Sequence, residues 1–162
     1  MTEDEYVAAV SDGRRSACET SDDLFRLIEE AVRVYPDSAR LWQIRGDMIQ
    51  LGSEGSPYAL SEALVSYQKA ISIDPRFARA HESIGYYFDV IEVDLERAEA
   101  AFRAAIDCGG EASSYAGLAR VLAELGRGRE RALEVVAGCP TQDCSIIREI
   151  REEIELGQWD PV

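Results

Sequence analysis

The chain has 162 residues, of which 46% are hydrophobic, and its 17 Lys and Arg stand against 31 Asp and Glu for a formal charge of −14. That length suits one domain or one short repeat array, and the composition excludes collagen, global disorder and a multi-span membrane protein. A surface this acidic repels phosphates, which argues against nucleic acid as a partner.

In chain order, Thr2-x-x-Glu5 is a capping box that opens a first helix near 3–16, with Asp12-Gly13 as a candidate early stop. Thr20-x-x-Asp23 caps a second helix, near 22–34. Further helices are expected near 38–51, 57–73, 77–91, 95–107, 112–125, 129–138 and 142–156, with Pro36, Pro75 and Gly110 as breaks. The stretch Gly52-Ser-Glu-Gly-Ser-Pro57 reads as a loop with a Ser56 cap and Pro57 at the first helical position. The first repeat carries five extra residues between Gly46 and Ala63 (39 − 34), expected to lengthen both the loop and the following helix by about one turn, ~3.6 residues. Cys108-Gly-Gly110 marks a helix C-terminus with a flexible stop. Thr141 is placed as the cap of the last helix and Gly157 as its stop. Ile146, Ile147, Ile150 and Ile154 form the apolar stripe of that helix, and Glu149 and Glu153 lie on the charged side. The tail 158–162 is expected to fray, or to pack Trp159 back on the last helix or into a neighbour's groove.

Three segments repeat in phase. Trp42-Gln-Ile-Arg-Gly-Asp-Met-Ile49, His81-Glu-Ser-Ile-Gly-Tyr-Tyr-Phe88 and Tyr115-Ala-Gly-Leu-Ala-Arg-Val-Leu122 each place a ring first, a small residue fifth and a bulky apolar residue eighth. A second helical pattern follows each: Ala63-x3-Tyr67-x2-Ala70, Ala98-x3-Phe102-x2-Ala105 and Ala132-x3-Val136-x2-Cys139. Another copy stands upstream as Leu24-x3-Ile28-x2-Ala31, whereas the first helix, with Ala8, Ser11 and Asp12 in register, fits poorly. The small residues Gly46, Gly85 and Ala119 let a neighbouring helix approach, with Tyr67 and Phe102 filling the space between. One such hairpin cannot bury its apolar face alone, so copies stack.

The pattern resembles the tetratricopeptide repeat (TPR) family, W-x2-L-G-x2-Y then A-x3-F then P. It departs from it where Arg45 replaces Leu, His81 and Tyr115 replace Trp, Gly110 replaces Pro and Cys139 replaces Ala. The resemblance implies an all-α fold, a right-handed α-α superhelix of about three and a half repeats with a C-terminal capping helix. It implies a single domain over 1–162: a divergent helix in 1–20, repeats over 21–140, the cap over 141–157 and a tail. The family's clamp for chaperone C-termini is missing, since Gln43, Asp47, Ser83, Ser113 and Gly117 stand in its places.

On each first helix a second stripe lies roughly 140° from the core stripe. It comprises Arg40, Gln43, Asp47 and Gln50, then Arg79, Glu82, Tyr86 and Asp89, then Ser113, Ala116, Arg120 and Ala123. By the resemblance it lines a concave groove that binds peptides. Arg40 and Arg79 hold equivalent positions, able to grip a carboxylate together, and Ser113, Ala116 and Ala123 leave room for a partner's bulk. The alternative for these residues is a solvated face with intramolecular ion pairs.

The function this implies is a non-catalytic interaction module, not an enzyme, with no cofactor and no metal. It would bind an extended peptide or helix of a protein partner, and basic segments would be drawn to it. The alternatives are an oligomeric scaffold, a possible homo-oligomer built through the terminal helices, and a thiol-dependent redox or metal role at Cys139 and Cys144. Against the last, the four-residue gap is longer than Cys-x-x-Cys and no second pair completes a zinc site; Cys139 falls in an Ala slot and Cys144 one step past the helix break, in the Pro slot, so buried small packing residues are the alternative. His81 fills a ring slot with no acid–base partner grouped near it. The acidic start Met1-Thr-Glu-Asp-Glu-Tyr lacks a signal-peptide layout, and no apolar run approaches the ~18 residues of a membrane span. Reduced thiols in the cytoplasm, away from membranes, are therefore expected.

Overall fold

The structure, a computed structural model, describes residues 1–15, 21–52, 57–159 and 161. The expected caps Thr20 and Ser56, and Cys18, lie outside the described residues. All regular structure among the described residues is helical. Two units divide the chain, Met1–Phe77 and Ala78–Val162.

The first unit holds α1 (Glu3–Arg15), α2 (Ser21–Val34), α3 (Ala39–Gln50) and α4 (Ser61–Ile73). The capping box forms as the sequence indicates: Glu5 N–H donates to Thr2 Oγ1 (3.2 Å) and Thr2 N–H to Glu5 Oε2 (2.7 Å). Gly13 does not stop α1 early but lies buried within it. The apolar face of α1 is Tyr6, Val7 and Val10, a stripe displaced from the one expected by repeat register, and it packs on α2. Ser38 opens α3 by accepting from Leu41 N–H. The α3–α4 hairpin closes over Gly46, where a Cβ would fall 2.6 Å from Tyr67 Cδ1.

Arg45, standing in the family's Leu position, is buried and fully engaged. Its guanidinium donates to Glu29 Oε1 of α2 and Ser66 Oγ of α4, both at 2.6 Å, and lies 4.8 Å from the Tyr58 ring. The extra residues ahead of α4 do not lengthen it: α4 has 13 residues, as does the equivalent helix of the next hairpin. Pro57 is outside the helix, because Tyr58 inserts its ring between Phe25 (5.4 Å between centroids) and Arg45, holding this stretch against α2 and α3.

The second unit holds α5 (Ala78–Tyr87), a π-helical turn (Phe88–Glu92), α6 (Leu95–Asp107), α7 (Ala112–Glu124), α8 (Arg129–Ala137) and α9 (Ser145–Glu155). The expected single helix over 77–91 therefore widens at its end. Val93 takes the left-handed conformation (φ 53°) and Asp94 N–H reaches back to Phe88 O at 2.8 Å. Asp94 then caps α6 by accepting from Arg97 N–H. Phe102 of α6 fills the space between two glycines, with Gly85 of α5 on one side and Gly117 of α7 on the other. The end of α6 is a left-handed glycine cap: Gly109 has φ 88° and Gly110 N–H donates to Ala105 O.

The last helix starts at Ser145, three residues later than expected, with Cys144 rather than Thr141 at its cap position. Gln142 is used otherwise. The two hydrogens of its side-chain amide are shared among Val136 O, Ala137 O and Cys139 O, open carbonyls at the end of α8. Its Oε1 accepts from Arg151 of α9 (2.6 Å), so one side chain ties both helices. Ile147, Ile150 and Ile154 bury the inner face of α9, which packs on α7 and α8.

Candidate binding surface

In the first unit, the predicted stripe is largely occupied with itself. Gln43 is only 2% exposed and donates to Asp47 Oδ2 at 2.6 Å. The Tyr67 hydroxyl sits between Asp47 Oδ1 (3.1 Å) and Gln50 Oε1 (2.9 Å). These polar groups anchor the tip of the ring that Gly46 admits. Arg40 is exposed and pairs with Asp4 of α1 at 3.0 Å. Arg79 lies in the other unit, exposed near the start of α5.

The remaining stripe residues of the second unit come together. Glu82 accepts from Ser113 Oγ at 2.7 Å and from Ser114 Oγ, joining α5 to the start of α7. Tyr86 donates its hydroxyl to Ser113 O (3.1 Å) and sets its ring edge-on to Phe102 at 4.9 Å. Burial holds the Tyr86 phenol above its ordinary value of 10.0, the Glu82 carboxylate adds to this, and Arg120 opposes it. The π turn carries buried Asp89 to Arg120, whose Nη2 pairs with it. Arg120 Nε is buried with no hydrogen-bond acceptor among the described residues. Its guanidinium lies 6.0 Å from the Tyr86 ring and 5.4 Å from that of Trp159.

Tyr86, Ala116, Gly117 and Arg120 form one side of a recess of about 190 Å³, and Ile146, Glu149, Ile150 and Glu153 of α9 form the other. Trp159 folds back at its edge and donates its indole N–H to Glu153 Oε2 at 2.9 Å. The first unit has larger, more open recesses, one of about 450 Å³ at Phe25 and Tyr58 and one of about 550 Å³ at Val32 and Trp42, but neither includes a predicted stripe residue. The room expected at the third repeat is mostly taken: Ala116 and Ala123 are 8% and 4% exposed, and α9 packs on their helix.

The α9 contribution went unrecognised in the sequence, where Glu149 and Glu153 read as the solvated side. The signal was present. Residues 146, 149, 150 and 153 share a helical stripe of their own, two Ile and two Glu. Ile146 is accordingly exposed beside the recess rather than buried with the other three.

No family model and no curated protein matches the chain. Among solved structures, it is similar to a thermophilic TPR protein of Thermus thermophilus, at 16% identity and a TM-score of 0.65, over 85% of this chain and 73% of that one. At that identity the likeness concerns architecture. No helix among the described residues is long and apolar enough to cross a membrane. Helical hairpins with glycines against aromatic rings, and the likeness in three dimensions, agree: the chain has an all-α, TPR-like repeat fold.

Proposed function

We propose that the chain is a non-catalytic protein-interaction module of the cytoplasm, and that the recess between α5, α7 and α9 receives a side chain from an extended partner segment. The observation that carries this reading is that one recess brings the carboxylates Glu149 and Glu153 together with the apolar Ala116, Gly117, Ile146 and Ile150, beside Tyr86 and Arg120. Arg120 adds little free positive charge there, because Asp89 already pairs with it. The site therefore favours a Lys or Arg, whose alkyl stem covers the apolar lining residues while its cation meets Glu149 and Glu153. The formal charge of −14 steers basic segments toward it at long range.

Panning a displayed library of random heptapeptides on the intact chain tests this. The expected enrichment is a basic residue beside an aliphatic one, with binding that weakens in salt and falls at least tenfold in the Glu149→Gln, Glu153→Gln double variant. Enriched peptides without basic bias, or equal binding to the double variant, would overturn it. A second reading, an oligomer built through the terminal helices, has in its favour Ile146 and Leu156, exposed on α9 and just after it. Scattering mass before and after removal of residues 142–162 decides that one.

A further inference from the structure

Two thiols converge on one carbonyl at the joint between α8 and α9. Cys139 Sγ donates to Thr141 O at 3.6 Å and Cys144 Sγ donates to the same oxygen at 3.5 Å. The sulfurs can thus be no farther apart than the sum of those two distances. Both residues are free thiols. Cys139 is buried at the end of α8, and Cys144, half-buried, occupies the N-cap position of α9. Cys144 is the more exposed of the two, and so the one a peroxide reaches first. The local chain is short and contains no helical residue that must unwind for the sulfurs to meet.

We propose that Cys139 and Cys144 form a reversible disulfide under a peroxide oxidant. The Cys144 thiolate attacks one peroxide oxygen, the O–O bond breaks, and the departing hydroxide takes a proton to leave as water, giving a sulfenic acid. Cys139 Sγ then attacks that sulfur, the S–S bond forms, and the sulfenic hydroxyl leaves with the Cys139 proton as a second water. In sum, two thiols lose two electrons and two protons, and the peroxide is reduced to two waters. The bridge withdraws both donors from Thr141 O and fixes the end of α8 to the start of α9, the helix that forms one wall of the recess. A dithiol reductant reverses it.

The test is intact mass and thiol counting on the folded 162-residue chain before and after hydrogen peroxide. Expected is a loss of two hydrogens and of two alkylatable thiols, both restored by dithiothreitol, with the bridge mapped to the peptide that holds residues 139–144. The Cys18→Ser, Cys108→Ser double variant keeps this behaviour, whereas Cys139→Ser and Cys144→Ser each abolish it. Oxygen added at Cys144 without hydrogen loss would overturn the proposal. So would a bridge mapped to other cysteines or between two chains, or an unchanged mass.

Discussion

The ring of Phe102 lies directly on the bare Cα of Gly85: a Cβ there would stand 2.7 Å from Phe102 Cδ1 and Cε1. The obstacle is a fully buried ring, also held from the α7 side by Gly117, so it has nowhere to rotate. Gly85→Leu is expected to cost at least ~1–3 kcal/mol of overpacking. At about 2–4 °C per kcal/mol for a chain of this size, that is several degrees in melting temperature. Gly117→Ala is expected to destabilise in the same direction, even though Ala is the better helix former by about 1 kcal/mol. Calorimetric melting of both variants beside wild type is the measurement, and wild-type melting of Gly85→Leu would contradict the packing described.

Arg45 and Glu29 give an asymmetric pair of variants. Glu29→Ala leaves a buried guanidinium with Ser66 and the more distant Glu62 (3.8 Å), so its cost should fall at or below the low end of the ~3–5 kcal/mol for breaking a buried pair. Arg45→Leu restores the residue the repeat pattern favours. The abandoned Glu29 side chain is 37% exposed and can hydrate, and Ser66 keeps its bond to Glu62 O. That substitution should be near neutral, within ~1 kcal/mol, because replacing a buried ion pair with apolar packing often is. Urea unfolding midpoints of the two variants rank them, and the opposite order would show that the network itself carries the stability.

The hairpin register was legible because it rests on side-chain size at fixed helical spacing. Gly46 with Tyr67 and Gly85 with Phe102 could be read directly from sequence, and each proved to be a close contact. Gly117 was missed, since Ala119 occupies the small position of its repeat and both face inward. Helix starts were harder to read where long-range contacts decide them. Tyr58 displaces the start of α4 by docking on Phe25 and Arg45, and Gln142 is diverted to the end of α8, partners far away in sequence or on another helix. The candidate site was half legible for a related reason. A stripe projected along first helices includes Tyr86 and Arg120 but carries no information about which face of α9 will lie opposite them.

Stability should decline in alkali, partly through Tyr86. Burial, and then Glu82, hold its phenol above the ordinary value of 10.0, so between that value and its folded one the native state keeps a proton that the unfolded state has released. The contribution is complete below the unfolded value and is lost as pH rises through the folded value. Tyr86→Phe removes the ionisation while keeping the edge-on contact with Phe102. Its unfolding midpoint should therefore fall less steeply than that of wild type above about pH 10. Parallel alkaline slopes for the two proteins would assign the decline to other groups, of which Tyr58 and Tyr87 are also raised.

Asp89 and Arg120 should respond unequally to truncation. The Asp89 side chain is almost wholly buried, whereas that of Arg120 is 24% exposed and touches two rings as well as the Glu124 carboxylate. Arg120→Ala strands a carboxylate in the interior, at a cost of ~3–5 kcal/mol. Asp89→Ala leaves a cation that still has solvent, Glu124 and aromatic faces, and should cost less. Acid separates charge from packing: protonating the stranded Asp89 should return part of the loss in Arg120→Ala, so the gap between this variant and wild type narrows as pH falls. Denaturant titrations of both variants at neutral and acid pH measure this. A gap that stays constant with pH would mean that Arg120 acts there through its contacts with Tyr86 and Trp159 rather than through its charge.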